Sequence, residues 1–232
     1  MNQTTSNTYT IVSVEGNIGS GKTTLLENLR RELKTCIFLK EPVDEWAKIT
    51  DERGVTILEK FYEDQSKYAF SFQTMAYISR LKLLRETICD LESKYKNMNF
   101  TIITERSLHT DKMVFAKMLY DSGKMEPINY QIYLSWFDAF SRDYPVHKVV
   151  YVKTDPAICF DRICKRSREG ETNIPLEYLE ECAAYHDAML DVEQSDQCIC
   201  MNQLRLDGNQ DIYAMEGLIS GWVQQIDCFI RN

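Results

Sequence analysis

Gly16-Asn17-Ile18-Gly19-Ser20-Gly21-Lys22-Thr23-Thr24 satisfies the phosphate-binding pattern of Gly, four free positions and Gly-Lys-Ser/Thr at every fixed place. Its flanks decide the fold. Tyr9-Thr10-Ile11-Val12-Ser13-Val14 before it is β-branched and apolar, a buried strand. Thr24-Leu25-Leu26-Glu27-Asn28-Leu29-Arg30-Arg31-Glu32-Leu33 after it repeats apolar residues at helical spacing. Strand, glycine turn and helix distinguish a nucleotide loop from a chance glycine-rich turn. The glycines let backbone N–H groups approach an anion, and the helix start faces it with the positive end of its dipole. Lys22 supplies a charge for the β- and γ-phosphates, and Thr23 a hydroxyl for Mg²⁺.

Outward from that loop, strands and helices alternate. Strands are expected at Tyr9–Val14, Cys36–Leu39, Phe100–Thr104, His147–Lys153 and Met201–Leu206. That order predicts an α/β fold: a five-stranded parallel sheet flanked by helices, of the phosphate-loop kinase type. No repeat or linker divides the chain, so residues 1–232 read as one domain. Gly16, Glu41, Glu105, Arg106 and Asp207 follow strands and should converge on one edge, where open parallel sheets bind ligands.

Composition narrows the partners. The chain is 44% hydrophobic and 27% charged with a net charge of −8, an ordinary globular balance that disfavours nucleic acid as partner. Its eight cysteines form no C-x-x-C pair and only three histidines are present, which argues against zinc and against a disulfide scaffold. Cys198-Ile199-Cys200 is expected in a strand region rather than as a metal clip. Free thiols and the polar Met1–Thr8 start, without a signal or transit pattern, point to a reducing, cytoplasmic setting. No apolar run approaches membrane-spanning length.

One long helix is expected from about Lys67 to Tyr95, with Tyr77, Leu81, Leu84, Ile88 and Leu91 forming an apolar seam. That seam is either core contact or a surface for a second subunit. Gln73 and Arg80 stand two turns apart on one face; they are either surface residues or hydrogen-bonding groups for a planar base edge. Arg162, Lys165, Arg166 and Arg168 crowd one helix end and the segment at about 166–173. A solvated basic face is the plain alternative; beside a phosphate loop, an arginine-rich lid over a triphosphate is the stronger one.

Over nearly its whole length the chain resembles the deoxyribonucleoside kinases. The resemblance is carried by the phosphate loop, Glu41-Pro42-Val43-x-x-Trp46, Tyr62, Phe72-Gln73, Glu105-Arg106-Ser107 followed by Asp111, and Arg162-x-x-x-Arg166-x-Arg168 running into Ile174-Pro175-Leu176-Glu177-Tyr178-Leu179. It implies transfer of a phosphoryl group from ATP, with Mg²⁺, to the 5′-hydroxyl of a deoxyribonucleoside for nucleotide salvage. By the same resemblance Glu41 is the general base and Arg106 holds it; the plain alternative for this strand-end pair is a structural salt bridge. Glu105 helps position Mg²⁺, and Arg162 and Arg166 approach the transferred phosphoryl. Trp46, Phe72 and Phe115 wall the base and Gln73 reads its edge. Tyr62 and Glu171 hold the 3′-hydroxyl, Arg168 steadies the lid, and Gln210-Asp211-Ile212 contacts adenine. The Arg80–Asp111 pair implies purine deoxynucleosides or deoxycytidine rather than thymidine, and the family habit implies a homodimer. The rival readings are a thymidylate kinase and a non-catalytic subunit that retains the fold; Lys22, Thr23, Glu41, Arg106 and the lid arginines weigh against the latter.

Overall fold

The computed structural model describes residues 7–166, 174–194, 198–211, 215 and 217–232. Five strands form one sheet: β1 (Thr8–Glu15), β2 (Ile37–Leu39), β3 (Asn99–Glu105), β4 (Lys148–Lys153) and β5 (Gln203–Asp207). Their order is β2-β3-β1-β4-β5 and every neighbouring pair is parallel. The β1–β3 register aligns Val12 with Ile103 and Val14 with Glu105, so the first and third strands end side by side.

The helices are α1 (Lys22–Glu32), α2 (Val43–Trp46), α3 (Ile57–Glu63), α4 (Gln65–Lys94), α5 (Leu108–Thr110), α6 (Lys117–Asp121), α7 (Pro127–Phe140), α8 (Pro156–Arg166), α9 (Leu176–Met189) and α10 (Leu218–Arg231). A π-helical segment, Asp111–Ala116, joins α5 to α6. The two-residue alternation of β1 sorts its side chains between layers. Val12 and Val14 pack on Leu25 and Leu29 of α1 and on Trp222 and Ile226 of α10. Ile11 packs the other way, with Leu84 and Leu91 of α4. Both sheet faces are thus covered, the arrangement parallel strands require.

The structure decides between the two readings of the long helix seam. Tyr77, Leu81, Leu84 and Leu91 are buried within the chain, and half-buried Ile88 packs against the same cluster as Leu84 and Leu91. The Tyr77 ring lies 5.7 Å from that of Tyr133 and 5.5 Å from that of Phe137, both on α7. The seam is core, so it offers no surface to a second subunit. Cys198-Ile199-Cys200 is likewise not strand: β5 begins at Gln203. The two thiols instead donate to the Cys200 and His147 carbonyls in the irregular approach to it. Among the described residues no helix is long and apolar enough to cross a membrane.

Candidate active site

The phosphate loop turns at the carboxyl end of β1. Gly16 (φ 146°) and Gly19 (φ 79°) hold backbone geometry that L side chains rarely adopt, and a Cβ on either would sit 2.6 Å from the carbonyl of Val152 or Cys159. Only glycine permits this approach to β4 and α8. The Asn17 amide donates to the Leu179 carbonyl (2.8 Å) and accepts from the Ile18 N–H (2.8 Å). Asn17 therefore ties the loop to α9. Lys22 is buried inside the curl, donating to the Asn17 carbonyl at 2.7 Å. Burial first, then the neighbouring Arg106, lower its ammonium pKa to about 7, against the pull of Glu105 and Glu41.

Four charged side chains meet at the adjoining strand ends. Glu41 follows β2, and both of its oxygens accept from Arg106 Nη1 at 2.9 Å. Arg80, from the buried face of α4, adds Nη2 at 2.9 Å. The same guanidinium donates through Nε to Asp111 at 2.9 Å and through Nη1 to the Glu105 carbonyl. Burial would raise the Glu41 carboxyl, yet Arg106, Arg80 and Lys22 bring it down to about 2. Burial lifts Asp111, with Arg80 opposing it. The expected Arg80–Asp111 pair is present, but Arg80 stands behind the site wall as a bridge from Asp111 to Glu41.

A cavity of about 680 Å³ joins Glu41, Arg106 and Asp111 to the phosphate loop. At one end it is lined by Trp46, Tyr62, Phe72, Gln73 and Phe115, the residues expected around a base and sugar. Trp46 meets Phe72 edge-on at 5.6 Å, and its indole N–H is fixed by Ser79 at 2.9 Å. Phe115 also lies beneath the Arg106 guanidinium, 5.2 Å away. At the other end are Gly21, Thr23 and Thr24 with Arg162, Arg166, Gln210 and Asp211. Arg162 donates to the Gln210 carbonyl (3.2 Å) and faces that of Ser20 (3.5 Å), joining α8 to both loops. Arg168, Glu171 and Ile212 lie outside the described residues.

Thr23 donates to Glu105 Oε1 at 2.6 Å, and the other carboxylate oxygen faces the Glu41 N–H at 3.5 Å. A hydroxyl and a carboxylate, both hard oxygen donors, suit Mg²⁺, which takes few protein ligands and fills its octahedron with water and phosphate oxygens. Among the described residues no group of three or more His, Cys, Asp or Glu side chains could hold a metal by themselves. The donor set fits an ion brought in with a nucleotide.

Three features escaped the sequence. Periodicity placed Arg80 on the Gln73 face, but nothing local indicated that it would reach Glu41, 39 positions away. Tyr178 lies in a quoted motif, yet its place on the cavity wall depends on how α9 docks. Glu15 is a fully buried carboxylate ending β1, accepting from the Ser107 N–H at 3.0 Å and from Thr110 Oγ1 at 2.6 Å. Its sole sequence signal was an acidic residue closing an apolar strand.

A sequence profile described as deoxynucleoside kinase matches residues 12–231. The human protein named thymidine kinase 2, mitochondrial is 37% identical over 182 residues, 78% of this chain and 64% of that protein. Human deoxycytidine kinase is 31% identical over 196 residues, 77% of this chain and 74% of the relative. A probable deoxycytidine kinase of fowlpox virus is 32% identical over 207 residues, covering 88% and 81% respectively. The chain thus spans just under two thirds of the length of the first of these relatives, and rather more of the others. From the phosphate loop at its start to the last turns of α10, the chain belongs to the deoxynucleoside kinase family.

Proposed function

We propose that this protein transfers the γ-phosphoryl group of ATP to the 5′-hydroxyl of a deoxyribonucleoside, releasing a deoxynucleoside monophosphate for salvage. The observation that carries this reading is Glu41, held by two guanidinium groups where the phosphate loop meets the aromatic chamber. A nucleoside lying between Trp46, Phe72 and Phe115 would direct its 5′-hydroxyl toward that carboxylate. Glu41 orients the hydroxyl, and accepts its proton as the new P–O bond forms and makes that oxygen acidic. Meanwhile the bond from the γ-phosphorus to the bridging oxygen breaks and ADP leaves. Lys22, Arg162 and Arg166 place positive charge around the equatorial oxygens and the departing bridging oxygen, over which a loose transition state spreads its negative charge. Thr23 and Glu105 would hold a Mg²⁺ arriving with the nucleotide, which would neutralise phosphate charge.

The Asp111 carboxylate, paired with Arg80 at the base end, supports purine deoxynucleosides or deoxycytidine over thymidine. Asp111, held at the cavity wall by Arg80 behind it, narrows the room for a thymine methyl and offers an acceptor to an amino group. The identity to a protein named thymidine kinase 2 favours the second reading, a thymidine preference. Rates with the four natural deoxynucleosides, ATP and Mg²⁺ test both. Absence of transfer to any of them would remove the kinase reading; a thymidine preference would remove the pocket reading alone. The eight free cysteines support a reducing, cytoplasmic setting. The exposed Ile128, Ile132, Trp136 and Phe140 on α7 support a homodimer.

A further inference from the structure

We infer that Glu15 is a positioning residue for Arg106: its carboxylate holds the backbone turn that aims the Arg106 guanidinium at Glu41. The inference rests on the proposed kinase reading and concerns how that site is kept in shape.

Arg106 has φ 63°, in the left-handed region that non-glycine residues seldom occupy, so its surroundings must hold it there. Two hydrogen bonds bracket the turn. The Arg106 N–H donates to the Val14 carbonyl at 3.0 Å. The next N–H, of Ser107, donates to Glu15 Oε1 at 3.0 Å. Val14 and Glu15 are consecutive in β1, so the strand end grips the turn on both sides. Glu15 Oε2 accepts from Thr110 Oγ1 at 2.6 Å, and Ser13 Oγ donates to Oε1. The carboxylate is thus fixed from β1, from the turn and from the helical segment beyond it.

The chemistry favours a working role. A fully buried carboxylate is costly unless donors surround it, and all the hydrogen bonds described for Glu15 come from neutral groups. An apolar residue would fill the same space more cheaply but would leave the Ser107 N–H only its longer contact to Thr110 Oγ1 at 3.4 Å. Arg106 depends on this geometry at its far end: Nη1 reaches both Glu41 oxygens, and the guanidinium rests over Phe115. Relaxation of φ toward ordinary values would swing the side chain off Glu41 while leaving Lys22 and Thr23 untouched.

The test is a double-variant cycle read in kcat, with KM for ATP and thermal melting followed alongside. Glu15→Ala should lower kcat roughly 10- to 100-fold, the scale of an ångström-level misplacement, with KM for ATP within about threefold. Glu15→Gln should recover most of that loss, because its amide oxygen still accepts from the Ser107 N–H and its NH₂ can donate to Thr110. In an Arg106→Ala background, Glu15→Ala should cost less than about twofold more, since residues acting through one another are not additive. Thr110→Val, which removes the hydroxyl joining Glu15 to Ser107, runs through the same cycle and decides the matter if Glu15→Ala does not fold. Additive losses in the cycle, or a loss in melting temperature without loss of kcat, would overturn the inference while leaving the kinase reading intact. A wild-type protein with no transfer to any deoxynucleoside would overturn both.

Discussion

Burial alone would raise the Glu41 carboxyl, but Arg106, Arg80 and Lys22 hold it near 2, so it is ionised throughout the physiological range. A carboxylate so stabilised is a feeble base toward a free hydroxyl. It becomes adequate only once bonding to phosphorus has made the attacking oxygen acidic. Glu41→Gln should therefore leave nucleoside affinity nearly unchanged and lower kcat by about 10²- to 10⁴-fold. Near-normal turnover would remove Glu41 from the base role. Lys22 titrates in the opposite region. In the free protein its pKa is lowered to about 7, so it is cationic below that pH and progressively neutral above it. Phosphates need the cation, and kcat/KM reports the free enzyme. kcat/KM for ATP should thus be level below pH 7 and fall roughly tenfold per unit above it, while kcat, measured with phosphates already around Lys22, stays flatter. Lys22→Arg, charged at every relevant pH, should abolish the decline; a wild-type profile level to pH 9 would contradict this account. The same shift has a stability sign. Between pH 7 and the ordinary lysine range the unfolded chain binds a proton at this residue that the folded chain does not, so stability rises with pH there.

At the scale of elements, the proposed substrate choice rests on α4 and the π-helical segment after β3. Arg80 on α4 and Asp111 on that segment are 2.9 Å apart, and Arg80 spends its remaining nitrogens on Glu41 and the Glu105 carbonyl. Arg80→Met with Asp111→Ala should raise kcat/KM for thymidine relative to deoxyadenosine, deoxyguanosine and deoxycytidine. It should also lower kcat for every substrate, because Glu41 loses one of its two clamps and keeps only Arg106. Asp111→Ala alone is the harsher change for stability. Breaking a buried ion pair typically costs about 3–5 kcal/mol, moderated here by the contact Arg80 retains with Glu41. An unchanged substrate ratio in the double variant would show that the pair does not shape the base end. The elements themselves were largely readable. The five expected strands formed within two residues at each end. β1, β3 and β4 were legible because parallel strands buried on both faces need near-continuous β-branched sequence, whereas β5 at the sheet edge showed only alternation. The phosphate loop was readable for a local reason too, since glycine positions and Lys-Thr must be contiguous. Long-range pairings were not. Arg80 meeting Glu41, Glu15 meeting Ser107 and Tyr77 facing α7 all depend on how separate elements dock, and spacing within one element carries no record of that.

For the whole molecule, the apolar seam on α4 turns inward, so any dimer must use another surface. α7 provides one. Its inner side buries Tyr133 and Phe137 against Tyr77. Its outer side carries Ile128, Ile132, Trp136 and Phe140, which are 38–67% exposed and recur every four residues. A stripe of four large apolar side chains along one helix face is more than the scattered exposed hydrophobics a monomer normally shows. Two copies related by a two-fold axis would each cover the other's stripe, the commonest way such a face is satisfied. Light scattering should therefore give about twice the 27.2 kDa chain mass, with or without reductant, since all eight cysteines are free. Ile132→Glu with Phe140→Glu sets four carboxylates facing one another across the axis, where like charges are costly. Both positions are exposed in the single chain, so its own melting should shift by no more than about 0.5 kcal/mol per site. The expected result is a folded protein of single-chain mass. A wild-type monomer at micromolar concentration would dispose of the dimer, and a variant that remained dimeric would move its interface away from α7.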